Sequence, residues 1–303
     1  MNINVITKMN GVGLEADALL LRDILTDHTV NIIDWERPTV KAPANINIHL
    51  EHIRKEFIHL APYNIAIPNP EWFEDTFKPY LRNINIVLCK TRHCENIFSQ
   101  MHPNCVYCGW TSRDCYIPNY KKHMLFCHLA GRSSHKGSEF VRDCWTSDPK
   151  LPMLYFQKYT DIHKFKFNQG NVMVQRTRVK DIREIMNTAL FHLCCSKAEG
   201  FGHYITEALS TGGIVITTDA PPMNEIITSD LGFLVPSRVC GKHRLSNEYC
   251  VDSKALHDVV KQAYATDPKV LIEMSERARA TYLQRDADFR ERIKTIIAKC
   301  TTN

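Results

Sequence analysis

Residues 189–213 constrain the fold more than any other stretch of the chain. Ala189-Leu190-Phe191-His192-Leu193-Cys194 is an apolar run of strand length, and Glu199-Gly200-Phe201-Gly202 follows it as a glycine-rich turn. Ile205, Ala208 and Leu209 then recur at helical spacing before Gly212-Gly213 stops the helix. Strand, glycine turn and helix in that order are the parts of an α/β unit. Two glycines at the mouth of a helix let the backbone approach a ligand closely. The first-turn N–H groups and the positive dipole end favour an anion such as a diphosphate.

Acidic residues bracket this turn. Glu199 precedes the helix and Glu207 lies eight positions on, which is roughly 12 Å at the helical rise. A hydrolytic carboxylate pair needs about 5–9.5 Å. The wider gap suits two carboxylates that grip hydroxyls at opposite ends of a long ligand with phosphates between, the shape of a nucleotide-sugar.

Glu199-Gly200-Phe201-Gly202 with Glu207-Ala208 resembles the E-x7-E signature of retaining GT-B glycosyltransferases, family 4 in particular. Gly213 to Thr218 is similar to that family's next strand, and Pro221-Pro222-Met223-Asn224-Glu225 to its next loop. The resemblance implies an α/β fold of GT-B architecture, two Rossmann-like domains facing across a cleft. It implies that Glu199 binds donor sugar hydroxyls, that the amides of Gly200, Phe201, Gly202, His203 and Tyr204 meet sugar and diphosphate, and that Glu207 binds the ribose. Gly131-Arg132-Ser133-Ser134-His135-Lys136-Gly137 is similar to the second-domain loop in which an Arg and a Lys clamp the diphosphate. Arg132 and Lys136 are therefore placed with Glu199 as catalytic, neutralising charge on the departing nucleotide. Their spacing is shorter than is common in the family. Arg178, in Arg176-Thr177-Arg178-Val179, is expected near the nucleotide base.

The opening residues 3–7 alternate like a strand and run into Asn10-Gly11-Val12-Gly13, with a helix expected from about Glu15 to Asp27. Gly11 and Gly13 thus lie at the carboxyl end of a first strand, where α/β folds bind ligands. No third glycine stands in register for a dinucleotide fingerprint. Further strands are read at 45–50, 63–68 and 83–89. Pro68-Asn69-Pro70-Glu71-Trp72 forms a rigid rim loop, which makes Asn69, Glu71 and Trp72 acceptor-side candidates. Cys105 and Cys108 form a CxxC near His93, Cys94 and Cys115. A strand points residues three apart to opposite faces, so zinc is not expected there.

The polar stretch from Thr111 to Lys122 is read as a linker. Domains are expected at 1–121 for the acceptor, 122–283 for the nucleotide-sugar, and 284–303 as a C-terminal helix returning to the first. Ser237 to Tyr249 reads as a polar surface loop, and separate helices are expected at 268–284 and 286–299. Asp286-Ala287-Asp288 reads as a solvated turn rather than a metal motif.

Twelve cysteines without an export signal read as reduced thiols, and a cytoplasmic enzyme with no transmembrane segment is expected. Hydrophobic content of 44% and charged content of 23% suit a globular chain, and the +5 net charge neither requires nor excludes nucleic acid. The expected activity is metal-independent transfer of a sugar from a UDP- or GDP-linked donor, with retention and without further cofactor. The acceptor hydroxyl could belong to a glycan, a protein or a modified nucleic-acid base. A sugar-nucleotide epimerase and a catalytically silent sugar-nucleotide-binding protein stay open as alternatives.

Overall fold

The computed structural model describes residues 1–37, 42–167 and 170–300. The chain forms two compact units. The first comprises Met1–Arg113, Lys242–Ser246 and the residues from Arg285 on; the second comprises Asp114–Gly241 and Asn247–Gln284. This division falls eight residues before the expected 121/122 boundary. The last three residues of the expected C-terminal segment lie outside the described ones.

In the first unit, β1 (Asn2–Thr7) leads through the glycine loop into α1 (Gly13–Ile24), which starts and ends earlier than expected. β2 (Thr29–Asp34), β3 (Ile46–Leu50), α2 (Lys55–Ile58), β4 (Tyr63–Ile67), β5 (Ile86–Cys89), α3 (Arg92–Phe98) and β6 (Cys105–Tyr107) follow. All strands pair in parallel in the order β2-β1-β3-β4-β5-β6. Parallel strands of this kind are covered on both faces, and β3 is buried along its whole length although it carries Asn47 and His49. The repeated Ile-Asn pattern has a second purpose. Asn31, Asn4, Asn47 and Asn64 stand side by side on successive strands and hydrogen-bond in a ladder (3.3, 3.2 and 2.9 Å), which satisfies the three buried amides, Asn4, Asn47 and Asn64, from a half-buried Asn31 inward. A second buried polar group joins α1 to the end of β5. Lys90 Nζ lies 2.5 Å from Asp17 Oδ2, and Trp110 Nε1 donates to Asp17 Oδ1 at 2.6 Å.

The second unit repeats the plan with β7 (His123–Gly131), α4 (Ser138–Ser147), β8 (Leu154–Lys158), β9 (Val172–Gln175), α5 (Arg183–Thr188), β10 (Ala189–Cys194), α6 (His203–Ser210), β11 (Ile214–Thr218), α7 (Met223–Ile226) and β12 (Gly232–Val235). Its parallel order is β12-β11-β10-β7-β8-β9. Phe126, Trp145, Phe156 and Phe191 fill the core beside this sheet. The α/β architecture with two such units is the one expected.

Each sheet reverses its strand order once. The first chain segment grows outward from β1 to β2 and then returns to place β3 on the other side of β1. The second grows from β7 through β9 and returns to place β10 beside β7. Loops at the carboxyl ends diverge at such a reversal and leave a crevice for ligand.

Two expectations fail after β12. Ser237 to Tyr249 is not an irregular loop but a hairpin, β13 (Ser237–His243) and β14 (Ser246–Val251), closed by a Cys240–Cys250 disulfide. Those two cysteines are therefore oxidised, whereas the other ten are free thiols. β13 has no buried residue, so no apolar alternation announces it. Beyond α8 (Ser253–Ala265), one helix, α9 (Pro268–Lys299), replaces the two expected. Gln284-Arg285-Asp286 contains no breaker, and the buried stripe Met274, Ala278, Tyr282, Phe289, Ile293 runs straight through it. Asp286 is thus in mid-helix, not in a turn, and holds Thr111 Oγ1 (2.9 Å) and Arg290 Nε (2.7 Å). Among the described residues no helix is long and apolar enough to cross a membrane.

Candidate functional site

The crevice of the second unit is made by the loops after β7 and β10. Chain packing fixes both. Gly137 adopts φ +63°, and a Cβ there would fall 2.0 Å from the Cys195 carbonyl oxygen, so only glycine lets the two loops touch. The Lys197 N–H donates to His135 O at 2.8 Å, tying the loops backbone to backbone. On the other side, Thr217 Oγ1 donates to Cys194 O (2.7 Å) and Thr218 Oγ1 to Ser196 O (2.8 Å). The Tyr249 N–H of β14 donates to Lys197 O at 2.8 Å. Beneath them, His128 bridges Leu193 O and Ser138 Oγ, each at 2.9 Å. Burial lowers its pKa to about 4, so it is a neutral structural strut.

These constraints bring Lys136, Glu199 and Tyr204 together. Lys136 Nζ lies 3.5 Å from Glu199 Oε1 and 3.0 Å from the centroid of the Tyr204 ring. Ser196, which the sequence reading did not single out, joins them. Its Oγ donates to Glu199 Oε1 at 2.5 Å and is 2.6 Å from Tyr204 Oη. The only local signal for it is the Ser196-x-x-Glu199 spacing, which also marks ordinary helix caps. Burial pushes the Tyr204 phenol well above its usual range, so it stays neutral and able to hydrogen-bond. Lys136 and Glu199 keep side-chain exposures of 18% and 16%, enough to reach a ligand while held by their neighbours.

Gly202, at φ +95°, caps α6 and turns the chain so that His203 and Tyr204 open the helix. Their amides have no carbonyl one turn behind them, the arrangement that receives anions. Phe201 is buried and meets His203 edge-on at 5.5 Å, while Gly200 is buried in the turn. Glu207 is half-buried in α6. Arg132 belongs to the same loop as Lys136 but is exposed, and its carbonyl accepts from Thr160 Oγ1 (3.1 Å). Arg178 is exposed beyond β9, its charge felt by Tyr159. The structure thus gathers Lys136 and Glu199 and leaves both arginines outside their contacts.

In the first unit, Gly11 takes φ +72°, and its N–H donates to Glu15 Oε2 at 2.8 Å, while Gly13 opens α1. Asn69 Nδ2 donates to Glu51 Oε2 at 2.9 Å. Glu71 is buried, and Trp72, 38% exposed, meets His243 edge-on at 5.1 Å. Glu51 is a second group the sequence reading passed over. Cys108 is buried with its Sγ 3.3 Å from Cys89 O. Among the described residues no group of three or more His, Cys, Asp or Glu is placed to hold a metal ion.

Solved structures share this fold. A glycosyltransferase from Rickettsia africae superposes with TM-score 0.74 at 13% identity over 100% of this chain and 99% of its own. The sucrose-phosphate synthase of Thermosynechococcus elongatus gives 0.74 at 12%, covering 99% and 98%. Anabaena HepE, solved in complex with UDP-glucose, gives 0.72 at 15%, covering 99% and 100%. At these identities the likeness is one of fold, the GT-B architecture expected from the sequence. Comparison with curated proteins found no match. In sequence, residues 156–266, which include Glu199, match the family described as glycosyl transferases group 1.

Proposed function

We propose that the protein is a retaining, metal-independent glycosyltransferase that moves a sugar from a nucleotide-sugar to an acceptor hydroxyl. The observation that carries this reading is the Lys136–Glu199–Tyr204–Ser196 cluster at the strand-order reversal, beside the α6 N-terminus. Charge develops on the diphosphate as the bond to the sugar anomeric carbon breaks. A fixed ammonium and helix-start amides stabilise that charge without reorganising. Glu199, anchored by Ser196 on one oxygen, offers its other oxygen to sugar hydroxyls. Glu207 takes the ribose and Arg178 the region of the base, while Gly11 and Gly13, at the ligand end of the first unit's sheet, serve donor phosphate or acceptor. Arg132, exposed on the same loop as Lys136, serves as a second cation. In front-face transfer the leaving phosphate accepts the acceptor proton. The UDP-glucose complex of HepE favours a UDP-linked donor.

Thermal unfolding with UDP- and GDP-sugars, for wild type and Glu199→Ala, tests the reading. Ligand at 100 times its dissociation constant stabilises by about 2.7 kcal/mol. One donor should raise the wild-type midpoint and act weakly on the variant. A folded wild type indifferent to every donor would sink the proposal. Product anomer by NMR tests retention, and undiminished turnover in EDTA tests metal independence.

A further inference from the structure

The first unit has its own strand-order reversal, between β1 and β3, and the first residue beyond β3 is Glu51. It occupies there the kind of place that the Glu199 turn, following β10, occupies in the second unit. Three observations mark it as a built site. Its backbone takes φ +65°, a region that costs a non-glycine residue energy, and the fold keeps it there with the Glu51 N–H donating to Ile67 O at 2.9 Å. Its carboxyl is only 11% exposed yet carries two polar neighbours, Asn69 Nδ2 at 2.9 Å and His52 Nε2 at 3.5 Å. Burial raises its pKa, with Lys90 and Arg244 opposing that rise and Asp17 adding to it. Strained backbone and a buried, perturbed carboxyl at a sheet's ligand end coincide at functional positions.

The surroundings narrow the ligand. Trp35 and Phe77 flank His52 with ring centroids 5.8 and 4.9 Å away, and Arg54 stacks over Trp35 at 4.1 Å. The loop that brings in Asn69 continues to the exposed face of Trp72. The cations around Glu51 are already paired, Lys90 with Asp17, Arg54 with Glu56 and Arg244 with Glu74, so they are not set out to hold a phosphate. A neutral ligand rich in hydroxyls suits a carboxylate, an amide and an imidazole set among aromatic rings.

We infer that Glu51, oriented by Asn69 and His52, accepts a hydrogen bond from the hydroxyl of a neutral sugar acceptor bound in the first unit. The inference deepens the transferase reading and rests on it for the word acceptor, but the binding it asserts is measured separately. In this site Glu51 touches the acceptor, whereas Asn69 positions the carboxylate.

Titration of the full chain with methyl α- and β-D-glucopyranosides, methyl α-D-mannopyranoside and methyl β-N-acetylglucosaminide, followed by saturation-transfer NMR, tests it. An N-acetylated serine amide is the contrasting probe. Wild type should bind at least one glycoside. Glu51→Gln should weaken that binding at least tenfold with the unfolding midpoint and UDP affinity unchanged, and Asn69→Ala should weaken it less. Glycoside binding that survives Glu51→Gln, binding of the serine probe alone, or no glycoside binding by folded wild type would each overturn the inference. Failure of wild type to bind UDP counts against the donor role of Glu199 and leaves the glycoside titration to decide Glu51.

Discussion

Lys136 sits over the Tyr204 ring at 3.0 Å while its other neighbour, the Glu199 carboxylate, is 3.5 Å away. The aromatic face and the carboxylate share one cation, and Ser196 links the phenol back to the same carboxylate. The ring and the hydroxyl of Tyr204 therefore act on different partners and can be separated by substitution. Tyr204→Phe keeps the platform and loses only the Ser196 contact, a change of about 1 kcal/mol. Tyr204→Leu also removes a desolvated cation–π contact worth about 2 kcal/mol. Donor affinity by calorimetry should fall severalfold for the first and by more than tenfold for the second. Equal losses would show that the ring does not hold Lys136.

Gly137 and Gly131 both have positive φ, +63° and +57°, but only Gly137 faces backbone. Gly131→Ala meets nothing within 4 Å and should cost only left-handed strain, about 1 kcal/mol. Gly137→Ala must also push the Cys195 carbonyl away, displacing the loop that carries Lys136. It should cost several times more in urea unfolding and lower donor affinity at least tenfold. Comparable behaviour of the two variants would mean that the loops do not pack as described.

Which of these features were legible beforehand follows from what leaves a local trace. The strand, turn and helix around Glu199 were legible because apolar period and glycine are written consecutively from Ala189 to Gly213. Glu51 was not, because its position depends on β3 returning to lie beside β1, and strand order has no signature in adjacent residues. Ser196 was missed for a related reason, since its partner Tyr204 is reached only after the chain has turned at Gly202. The Ile-Asn runs were read as strands from their alternation, yet the ladder of amides needs the register of four strands at once. The hairpin escaped because a strand with no buried face has no hydrophobic period to read.

The Cys240–Cys250 bridge closes a short loop, with a sequence separation of 10, worth about 2–3 kcal/mol in the chain-entropy account. Strand β14 also supports the candidate site, through the Tyr249 N–H on Lys197 O and Glu248 Oε1 at 3.5 Å from His135 Nδ1. Reduction, or Cys240→Ser with Cys250→Ser, should lower the unfolding midpoint by several degrees. UDP affinity should weaken in parallel, because the β14 contacts lose their tether. A double variant that melts lower yet binds UDP unchanged would show that the hairpin supports the fold and not the site.

Three histidines are buried as neutral rings: His49 and His128 with pKa lowered to about 4, and His192 to about 3. Burial is the main cause in each, and for His192 the Lys122 charge adds to it. Unfolding returns each to about 6.5. The stability these neutral rings contribute is therefore complete above pH 6.5 and is lost as pH falls from there toward 4. At full development the cost is about 3 kcal/mol each for His49 and His128 and about 5 kcal/mol for His192. Near pH 5.5 the unfolded chain holds nearly three more protons on these rings than the native one. The unfolding free energy should then drop by roughly 4 kcal/mol per pH unit. Urea titrations between pH 7.5 and 5 measure that slope. His128→Asn should lower stability at pH 7.5, having lost one of two hydrogen bonds, yet show a slope shallower by about one proton, roughly 1.4 kcal/mol per pH unit. An unchanged slope would mean that His128 is already protonated in the native protein, its two ring N–H groups donating to Leu193 O and Ser138 Oγ.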